Sequence, residues 1–103
     1  MERLDQVSVV RRANVYFDGR VTSRTVFLPD GSRVTLGVIL PGEYAFDTAA
    51  PERMELLAGW LEVQLPGQIG WQRFGEGQIF DVPAHSTFRV RSDAVADYCC
   101  AYL

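Results

Sequence analysis

The chain has 103 residues with a formal net charge of −3, and 48% of its residues are hydrophobic while 22% are charged. These values favour one soluble globular domain and exclude a disordered chain, and no apolar run is long enough to span a membrane. A coat for nucleic acid is also excluded, because surfaces that follow phosphates are basic. We therefore expect neither nucleic acid nor a membrane as a partner.

The amino-terminal stretch and the two cysteines indicate the cellular compartment in which the protein works. The start MERLDQVSVVRR lacks the basic-then-apolar pattern of a secretion signal. Cys99 and Cys100 are adjacent, and adjacent strand residues point to opposite faces, so a disulfide between them would be strained. We expect two reduced thiols and a cytoplasmic protein.

Most of the chain carries the pattern of short strands. Residues 1–13 have the period of neither a strand nor a helix, and we interpret them as an added arm with an edge strand. From residue 14 to 103, β-branched and aromatic runs alternate with turn signals. They predict about nine strands, hence an all-β, single-domain two-sheet sandwich or small barrel of the jelly-roll type. The turn signals are Asp18-Gly19, Pro29-Asp30-Gly31, Pro41-Gly42, Pro66-Gly67 and Gly75-Glu76-Gly77.

The segment MELLAGWLEV, from Met54 to Val63, permits two interpretations. Four apolar residues beginning at Met54 fall at helical spacing. Gly59 in the middle costs about 1 kcal/mol in a helix but suits the turn of a hairpin. We predict two strands that meet at Gly59.

The segment GQIFDVPAHSTF, from Gly77 to Phe88, resembles the second motif of the cupin superfamily, G-x5-P-x-G-x2-H. Pro83 keeps the position of the motif's proline. His85 stands at the position of the second glycine, and Phe88 stands at that of the metal-binding histidine. His85 is also the only histidine of the chain.

The segment GVILPGEYA, from Gly37 to Ala45, resembles the first cupin motif, G-x5-H-x-H. Glu43 and Ala45 stand at the positions of its two histidines, and the stretch from Glu52 to Gly59 keeps the remainder. A transition metal held by several imidazoles needs those imidazoles. We therefore expect that this cupin has lost the usual metal and needs no cofactor.

Several segments together are similar to the pyrimidine/purine nucleoside phosphorylase family of small cupins, over residues 14–103. The most specific are the acidic GEY-x-F, the VP-x-HS-x-F turn and the aromatic end YCCAYL. The resemblance implies a homodimer that cleaves purine and pyrimidine ribonucleosides with inorganic phosphate, without a required metal. The products would be the free base and ribose 1-phosphate. The arm of residues 1–13 extends beyond this similarity.

Glu43 is the first candidate for a catalytic residue. In the cupin register it points into the barrel, with Ala45 on the same face and with Tyr44 and Phe46 on the other. An apolar cavity disfavours the charged form of a carboxyl, so the group can hold a proton near neutral pH. Glu43 could therefore protonate a departing base or bind ribose hydroxyls. The alternative is that it satisfies a buried backbone donor or lies at the wet end of its strand.

The turn after Pro83 offers the second catalytic candidate, His85. An imidazole at the mouth of the cavity could donate to phosphate or to a ribose oxygen, and the neighbouring Ser86 could bind the same group. A lone histidine can equally be a satisfied turn residue. Glu52 occupies the family's carboxylate position, but a solvated loop acid is an equally good interpretation in its PER turn.

Arginine side chains are the candidates for binding phosphate. All ten basic residues of the chain are arginine, although genome base composition can also explain the missing lysine. Arg33 matches a family arginine and is the first choice, with Arg73 second. Both could instead be surface partners of acidic residues. Arg89 and Arg91 alternate with Phe88 and are predicted to point to solvent.

Aromatic side chains are expected mostly in the core, because they dominate the interior of so small a domain. One or two at the mouth would suit an enzyme that accepts both base classes, since stacking does not depend on the hydrogen-bonding edge of a base. The candidates for contacts with substrate are Tyr44, Phe46, Phe80, Phe88 and Tyr102, with Phe88 the first choice.

Without the family resemblance, two other functions fit the same residues. One is a non-catalytic or metal-binding sensor cupin that holds a small anion or sugar. The other is a structural dimer module, because small sandwiches protect edge strands by pairing them. Phosphate-dependent release of a base from a nucleoside discriminates between these hypotheses and a phosphorylase.

Overall fold

Short strands and tight turns make up the computed structural model, which describes residues 2–103. Within this range there is no α-helix, and a single 3-10 turn covers Phe17–Gly19. The all-β prediction is confirmed. The strands are β1 Ser8–Val9, β2 Asn14–Tyr16, β3 Val21–Phe27, β4 Arg33–Ile39, β5 Gly42–Asp47, β6 Glu52–Ala58, β7 Trp60–Gln64, β8 Gln72–Gly75, β9 Ile79–Val82, β10 Thr87–Ser92 and β11 Ala96–Tyr102.

The strands form two antiparallel sheets. The large sheet has the order β1-β3-β4-β11-β6-β9, with β2 also paired to β3, and the small sheet has the order β5-β10-β7-β8. From β4 to β11 the strands form four nested pairs, in which the outermost strands of the chain segment pair first. These pairs are β4 with β11, β5 with β10, β6 with β9 and β7 with β8. This nested pairing is the jelly roll, so the predicted architecture is confirmed.

Gly59 separates β6 from β7, as the hairpin interpretation of MELLAGWLEV predicts. Its backbone is left-handed, with φ of +75°, which a residue without Cβ adopts at little cost. A Cβ there would also collide with the carbonyl oxygen of Val95. The two-strand prediction is confirmed because the turn needs both properties of glycine.

The amino-terminal arm adds to the edge of the large sheet. Ser8 and Val9 form β1 opposite Phe27 and Val26 of β3, and the Val10 amide donates to the Thr25 carbonyl at 2.9 Å. The expected edge strand is therefore present. The division of the chain between residues 13 and 14 stays a prediction.

The core lies between the inner faces of the two sheets. Its fully buried members include Leu56 of the large sheet and Leu61, Val63 and Val90 of the small sheet. Burying such side chains contributes about 1.5–3 kcal/mol each relative to exposure, so these positions fix which face of each strand points inward. The part of the chain that the structure describes contains no helix long and apolar enough to cross a bilayer.

Candidate active site

A cavity of about 120 Å³ lies between the two sheets, beside the core. Both sheets and the edge strand β2 contribute to it. Its wall combines hydroxyl and carboxylate groups with aromatic and aliphatic side chains. The residues that line it are Tyr16, Ser23, Thr35, Ile39, Phe46, Asp47, Glu52, Met54, Phe88, Tyr98, Cys100 and Tyr102.

Strand β11 supplies the central wall of the cavity. Its alternation turns Tyr98, Cys100 and Tyr102 inward, because side chains two apart share a face. In the register of the large sheet, Tyr102 lies opposite Glu52 of β6, and Cys100 lies opposite Thr35 of β4. Antiparallel pairing therefore brings side chains that are far apart in the chain onto one wall.

Gly37 makes room for the Tyr98 ring. A Cβ at position 37 would lie 2.6 Å from both Cζ and the hydroxyl oxygen of Tyr98, and 2.5 Å from the carbonyl oxygen of Thr22. The ring of Tyr98 therefore lies directly over the glycine. Burial raises the pKa of the Tyr98 phenol, and its hydrogen bond with Ser23 opposes that shift.

Glu52 is a half-buried acid in the cavity wall. The Cys100 thiol donates to its Oε1 at 3.5 Å. Burial raises the pKa of the Glu52 carboxyl, while the Cys100 hydrogen bond and the charge of Arg33 act in the opposite direction. Burial, followed by the charge of Glu52, raises the pKa of the Cys100 thiol to about 12. The thiol is therefore a protonated donor and a poor nucleophile.

Arg33 lies at the edge of the same wall. Its guanidinium carbon is 4.0 Å from the centroid of the Tyr102 ring, a cation-π contact. Among the residues described, Arg33 forms no ion pair within 4.0 Å, so its N–H groups are free to bind an anion. Burial raises the pKa of Tyr102 to about 12, and its hydroxyl lies 3.4 Å from that of Thr35.

Asn14 orients two hydroxyl groups of the large sheet, and the small sheet on the opposite side supplies an aromatic wall. The Asn14 amide donates to Ser23 Oγ at 3.2 Å and to Thr25 Oγ1 at 3.1 Å, which orients both hydroxyls. Phe46 and Phe88 stack with ring centroids 5.6 Å apart. The cavity therefore has one side rich in hydroxyl groups and one aromatic side.

The structure contradicts the predicted orientation of Glu43. Its side chain is 49% exposed on the outer face of the small sheet and pairs with Arg89 at 3.6 Å, and Ala45 is exposed on the same face. The inward residues of β5 are Tyr44 and Phe46. The cupin register was wrong by one residue, because burying two aromatic side chains is favourable whereas burying an unpaired carboxylate is costly.

Two of the predicted substrate contacts belong to the core. Tyr44 is buried, and its hydroxyl donates to the carbonyls of Leu40 and Pro41, at 2.9 Å and 3.2 Å. Phe80 is buried beside Phe74, with ring centroids 4.8 Å apart. Neither Tyr44 nor Phe80 lines the cavity, and their role as substrate contacts stays a prediction. The other three predicted aromatics do line it: Phe46, Phe88 and Tyr102.

Arg73 also lies away from the cavity. It is on β8 opposite Glu62, and its guanidinium carbon lies 3.9 Å from the Trp60 ring centroid. This is the outer face of the small sheet, so Arg73 does not line the cavity, and its role in binding substrate stays a prediction. Arg89 and Arg91 pair with acids on the same outer face, as predicted from their alternation.

The turn that carries His85 adjoins the cavity without lining it. Val82, which precedes the turn, pairs with Glu52, so the turn lies at the Glu52 end of the barrel. His85 is exposed, with a left-handed backbone at φ of +53°. The Ser86 hydroxyl donates to the Pro83 carbonyl at 2.7 Å and lies 3.2 Å from Thr48 Oγ1. Ser86 therefore holds the turn closed, and its hydroxyl is already engaged.

Several cavity residues were absent from the predicted site. Glu52 was left open between the family's carboxylate position and a solvated loop acid, and the structure places it in the cavity wall. The alternation in ADYCCAYL could have identified Tyr98 and Cys100 as inward residues once β11 was placed centrally. No local signal identified Ser23 and Thr35, since small hydroxyl residues occur on either face of a strand.

The cavity does not offer a metal site of the cupin kind. Within residues 2–103, no group of three or more His, Cys, Asp or Glu side chains is placed to hold an ion. Of the cupin ligand positions, Glu43 and Ala45 are outside the barrel, and Phe88 presents a ring that cannot coordinate a metal.

Comparison with known proteins identifies close relatives. A family model described as pyrimidine/purine nucleoside phosphorylase matches residues 11–102. The chain is 56% identical to a pyrimidine/purine nucleoside phosphorylase of Syntrophotalea carbinolica over 103 residues, covering 100% of this chain and 99% of the relative. A protein of the same name from Geobacter sulfurreducens is 52% identical with the same coverage.

Solved structures agree with the fold. A protein of unknown function from Acinetobacter sp. ADP1 superposes with a TM-score of 0.96 at 41% identity, covering 98% of each chain. An RmlC-like cupin from Shewanella frigidimarina superposes with a TM-score of 0.69 at 14% identity, covering 99% of this chain and 90% of that one. At that identity the second likeness concerns the fold alone, which is the cupin fold.

Proposed function

The chain belongs to the pyrimidine/purine nucleoside phosphorylase family, and we propose that it cleaves purine and pyrimidine ribonucleosides with inorganic phosphate in the cavity between its sheets. The enzyme would be a glycosyltransferase that moves a pentosyl group from a base to phosphate. The observation that carries the assignment of the site is the arrangement of Arg33 and Glu52 around Tyr102, with opposite charges at one end of a hydroxyl-lined cavity.

Arg33 is the phosphate-binding residue in this proposal. A planar guanidinium can donate two parallel hydrogen bonds to an oxyanion. Its contact with the Tyr102 ring limits its conformations, so less entropy is lost when phosphate binds. The charge of Arg33 also lowers the pKa of Glu52, which supports an anion site close to the acid.

The chemical step is a displacement at the anomeric carbon. A phosphate oxygen forms a bond to C1′ while the bond from C1′ to the base nitrogen breaks, and the electron pair leaves with the base. The transition state has oxocarbenium character, as in glycoside cleavage. Holding phosphate against the sugar can remove about 7–11 kcal/mol of the barrier, because a bimolecular step becomes effectively unimolecular.

Glu52 and His85 have separate roles in the proposed step. Glu52 faces the cavity, where its carboxylate can stabilise the positive charge that develops on the sugar ring. His85 is exposed in the turn at the same end of the barrel, where its imidazole can donate a hydrogen bond to phosphate. Ser86 keeps that turn in place. Glu43 takes no part, because it lies on the outer face.

The reaction needs no metal in this proposal. Arg33 beside the cavity can bind phosphate, and the acids and hydroxyl groups of the wall can bind ribose. Within residues 2–103, no group of side chains forms a cupin ligand set. Phosphate is a co-substrate rather than a cofactor.

The protein would act as a homodimer in the cytoplasm. Edge strand β1 leaves Val9 52% exposed, and a second copy could cover that edge. Both cysteines are free, and the Cys100 thiol donates a hydrogen bond to Glu52, which suits a reducing compartment. Sedimentation at micromolar protein tests the dimer, because a single species of monomer mass would contradict it.

Product analysis with and without phosphate tests the proposed activity. The protein is incubated with uridine or adenosine, and the products are separated by chromatography. Release of the base together with ribose 1-phosphate, only when phosphate is present, is the expected result. Release of the base in water alone would indicate a hydrolase, and no release in either condition would contradict an enzymatic role.

A further inference from the structure

The size of the cavity limits how much of a nucleoside it can enclose. Its volume is about 120 Å³. An engineered cavity of about 150 Å³ in another protein holds one benzene molecule, whereas sites that enclose drug-sized ligands measure about 300–1,000 Å³. A nucleoside has a pentose ring and a base. The cavity can therefore enclose one of these two parts, and the other must lie outside.

The polar groups of the wall indicate which part is inside. Ser23, Thr35 and Tyr98 present hydroxyls, and Glu52 presents a carboxyl that can accept from adjacent hydroxyl groups. These groups match a ring that carries several hydroxyls. A cavity closed around the base would favour one base class, since a purine exceeds a pyrimidine by a fused ring. Enclosure of the sugar is compatible with both classes.

Tyr16 is positioned to contact the part that lies outside. It lines the cavity from edge strand β2 and is 49% exposed. The next two residues, Phe17 and Asp18, have left-handed backbones with φ of +52° and +56°, and such strain in a bulky residue persists only where the surroundings enforce it. The Phe17 ring lies 5.0 Å from Tyr44 and 5.5 Å from Phe46, which anchors the turn beside the cavity.

We propose that the cavity binds the ribose and that the Tyr16 ring, at its border, stacks on the base of either class. This inference rests on the proposed phosphorolysis and adds the orientation of the substrate to it. A ring face stacks on any base without using its hydrogen-bonding edge. Glu52 accepts from the ribose hydroxyls inside, so recognition of the sugar is strict and recognition of the base is weak.

Kinetics of Tyr16 variants test whether the base stacks on the Tyr16 ring. Tyr16→Ala is expected to raise KM about 5- to 150-fold for both uridine and adenosine, which corresponds to the loss of one stacking contact. Tyr16→Phe keeps the ring and is expected to retain the wild-type KM. Val15→Ala is the matched control, because Val15 is the exposed neighbour on β2 that does not line the cavity. An unchanged KM in Tyr16→Ala would overturn the proposal that the base stacks on Tyr16.

Binding without turnover tests the orientation separately. Thermal unfolding of the wild-type protein is measured with ribose 1-phosphate, with adenine and with uracil. Ribose 1-phosphate alone is expected to raise Tm, and Glu52→Gln is expected to weaken its binding at least about tenfold. If the free bases raised Tm and ribose 1-phosphate did not, the orientation would be wrong even while phosphate-dependent cleavage persisted. Absence of that cleavage would instead refute the proposed function.

Discussion

Gly37→Ala is expected to damage both the stability of the protein and its cavity. The added Cβ would lie 2.6 Å from the Tyr98 ring and 2.5 Å from the Thr22 carbonyl oxygen, distances that real Cβ atoms almost never show. Tyr98 is buried, and the Thr22 oxygen belongs to the backbone of the neighbouring strand, so neither can yield freely. Overpacking of this kind costs about 1–3 kcal/mol, and we expect the upper part of that range.

Urea unfolding measures this cost, and activity measures its effect on the cavity. We expect the free energy of unfolding to fall by about 2–3 kcal/mol at an unchanged m value. The kcat/KM for uridine should fall as well, because Tyr98 must leave its place in the wall. Gly75→Ala is the control, since Gly75 also lies in a strand but its Cβ would meet nothing closer than Gln78 Oε1 at 3.9 Å.

A double-mutant cycle separates the two contacts of the added methyl group. Tyr98→Leu in the Gly37→Ala background should recover part of the lost stability, because the smaller side chain vacates the space over position 37. The part caused by the Thr22 carbonyl should remain. Gly37→Ala with wild-type stability and activity would refute the argument that Gly37 exists to admit the Tyr98 ring.

Three further predictions concern Glu52, Cys100 and metals. Burial raises the pKa of Glu52 above its ordinary value of 4.5, so the native state binds more protons and stability must fall as the pH rises from 4.5 through the raised value. Glu52→Gln should flatten this part of a plot of urea midpoint against pH, and an unchanged slope would contradict the shift. The Cys100 thiol, with a pKa raised to about 12, should resist alkylation at neutral pH until the protein unfolds, and mass spectrometry of labelled peptides checks this. Dialysis against EDTA should leave the rate of uridine cleavage unchanged, whereas loss that added metal restores would revive a metal-dependent cupin.

Local sequence signals were sufficient for most of the fold. Turn residues such as Pro66-Gly67 and Gly59 lie between strands as predicted, because their backbone requirements do not depend on the rest of the chain. Strand β2 precedes the predicted Asp18-Gly19 turn, whereas the short strand β1 had no such signal. They exist because β3 offers an unpaired edge, which is a property of the assembled sheet.

The site was harder to predict, because it depends on which face of each strand points inward. Glu43 and Tyr44 are adjacent, so an error of one residue in register exchanged the inner and outer faces of β5. The spacing of Tyr44 and Phe46 was a better guide than motif alignment, since these side chains gain most from burial. The pairing of Glu52 with Tyr102 could not be predicted, because it depends on the register between β6 and β11.

Phosphate kinetics of two matched arginine variants test the central claim most directly. Arg33 and Arg73 each stack on an aromatic ring, at 4.0 Å and 3.9 Å, but only Arg33 lies beside the cavity wall. In Arg33→Ala the KM for phosphate should rise at least about tenfold, because phosphate loses a charged hydrogen-bond donor. In Arg73→Ala the KM for phosphate should match that of the wild type. An unchanged KM in Arg33→Ala, or an equal rise in Arg73→Ala, would contradict phosphorolysis in this cavity.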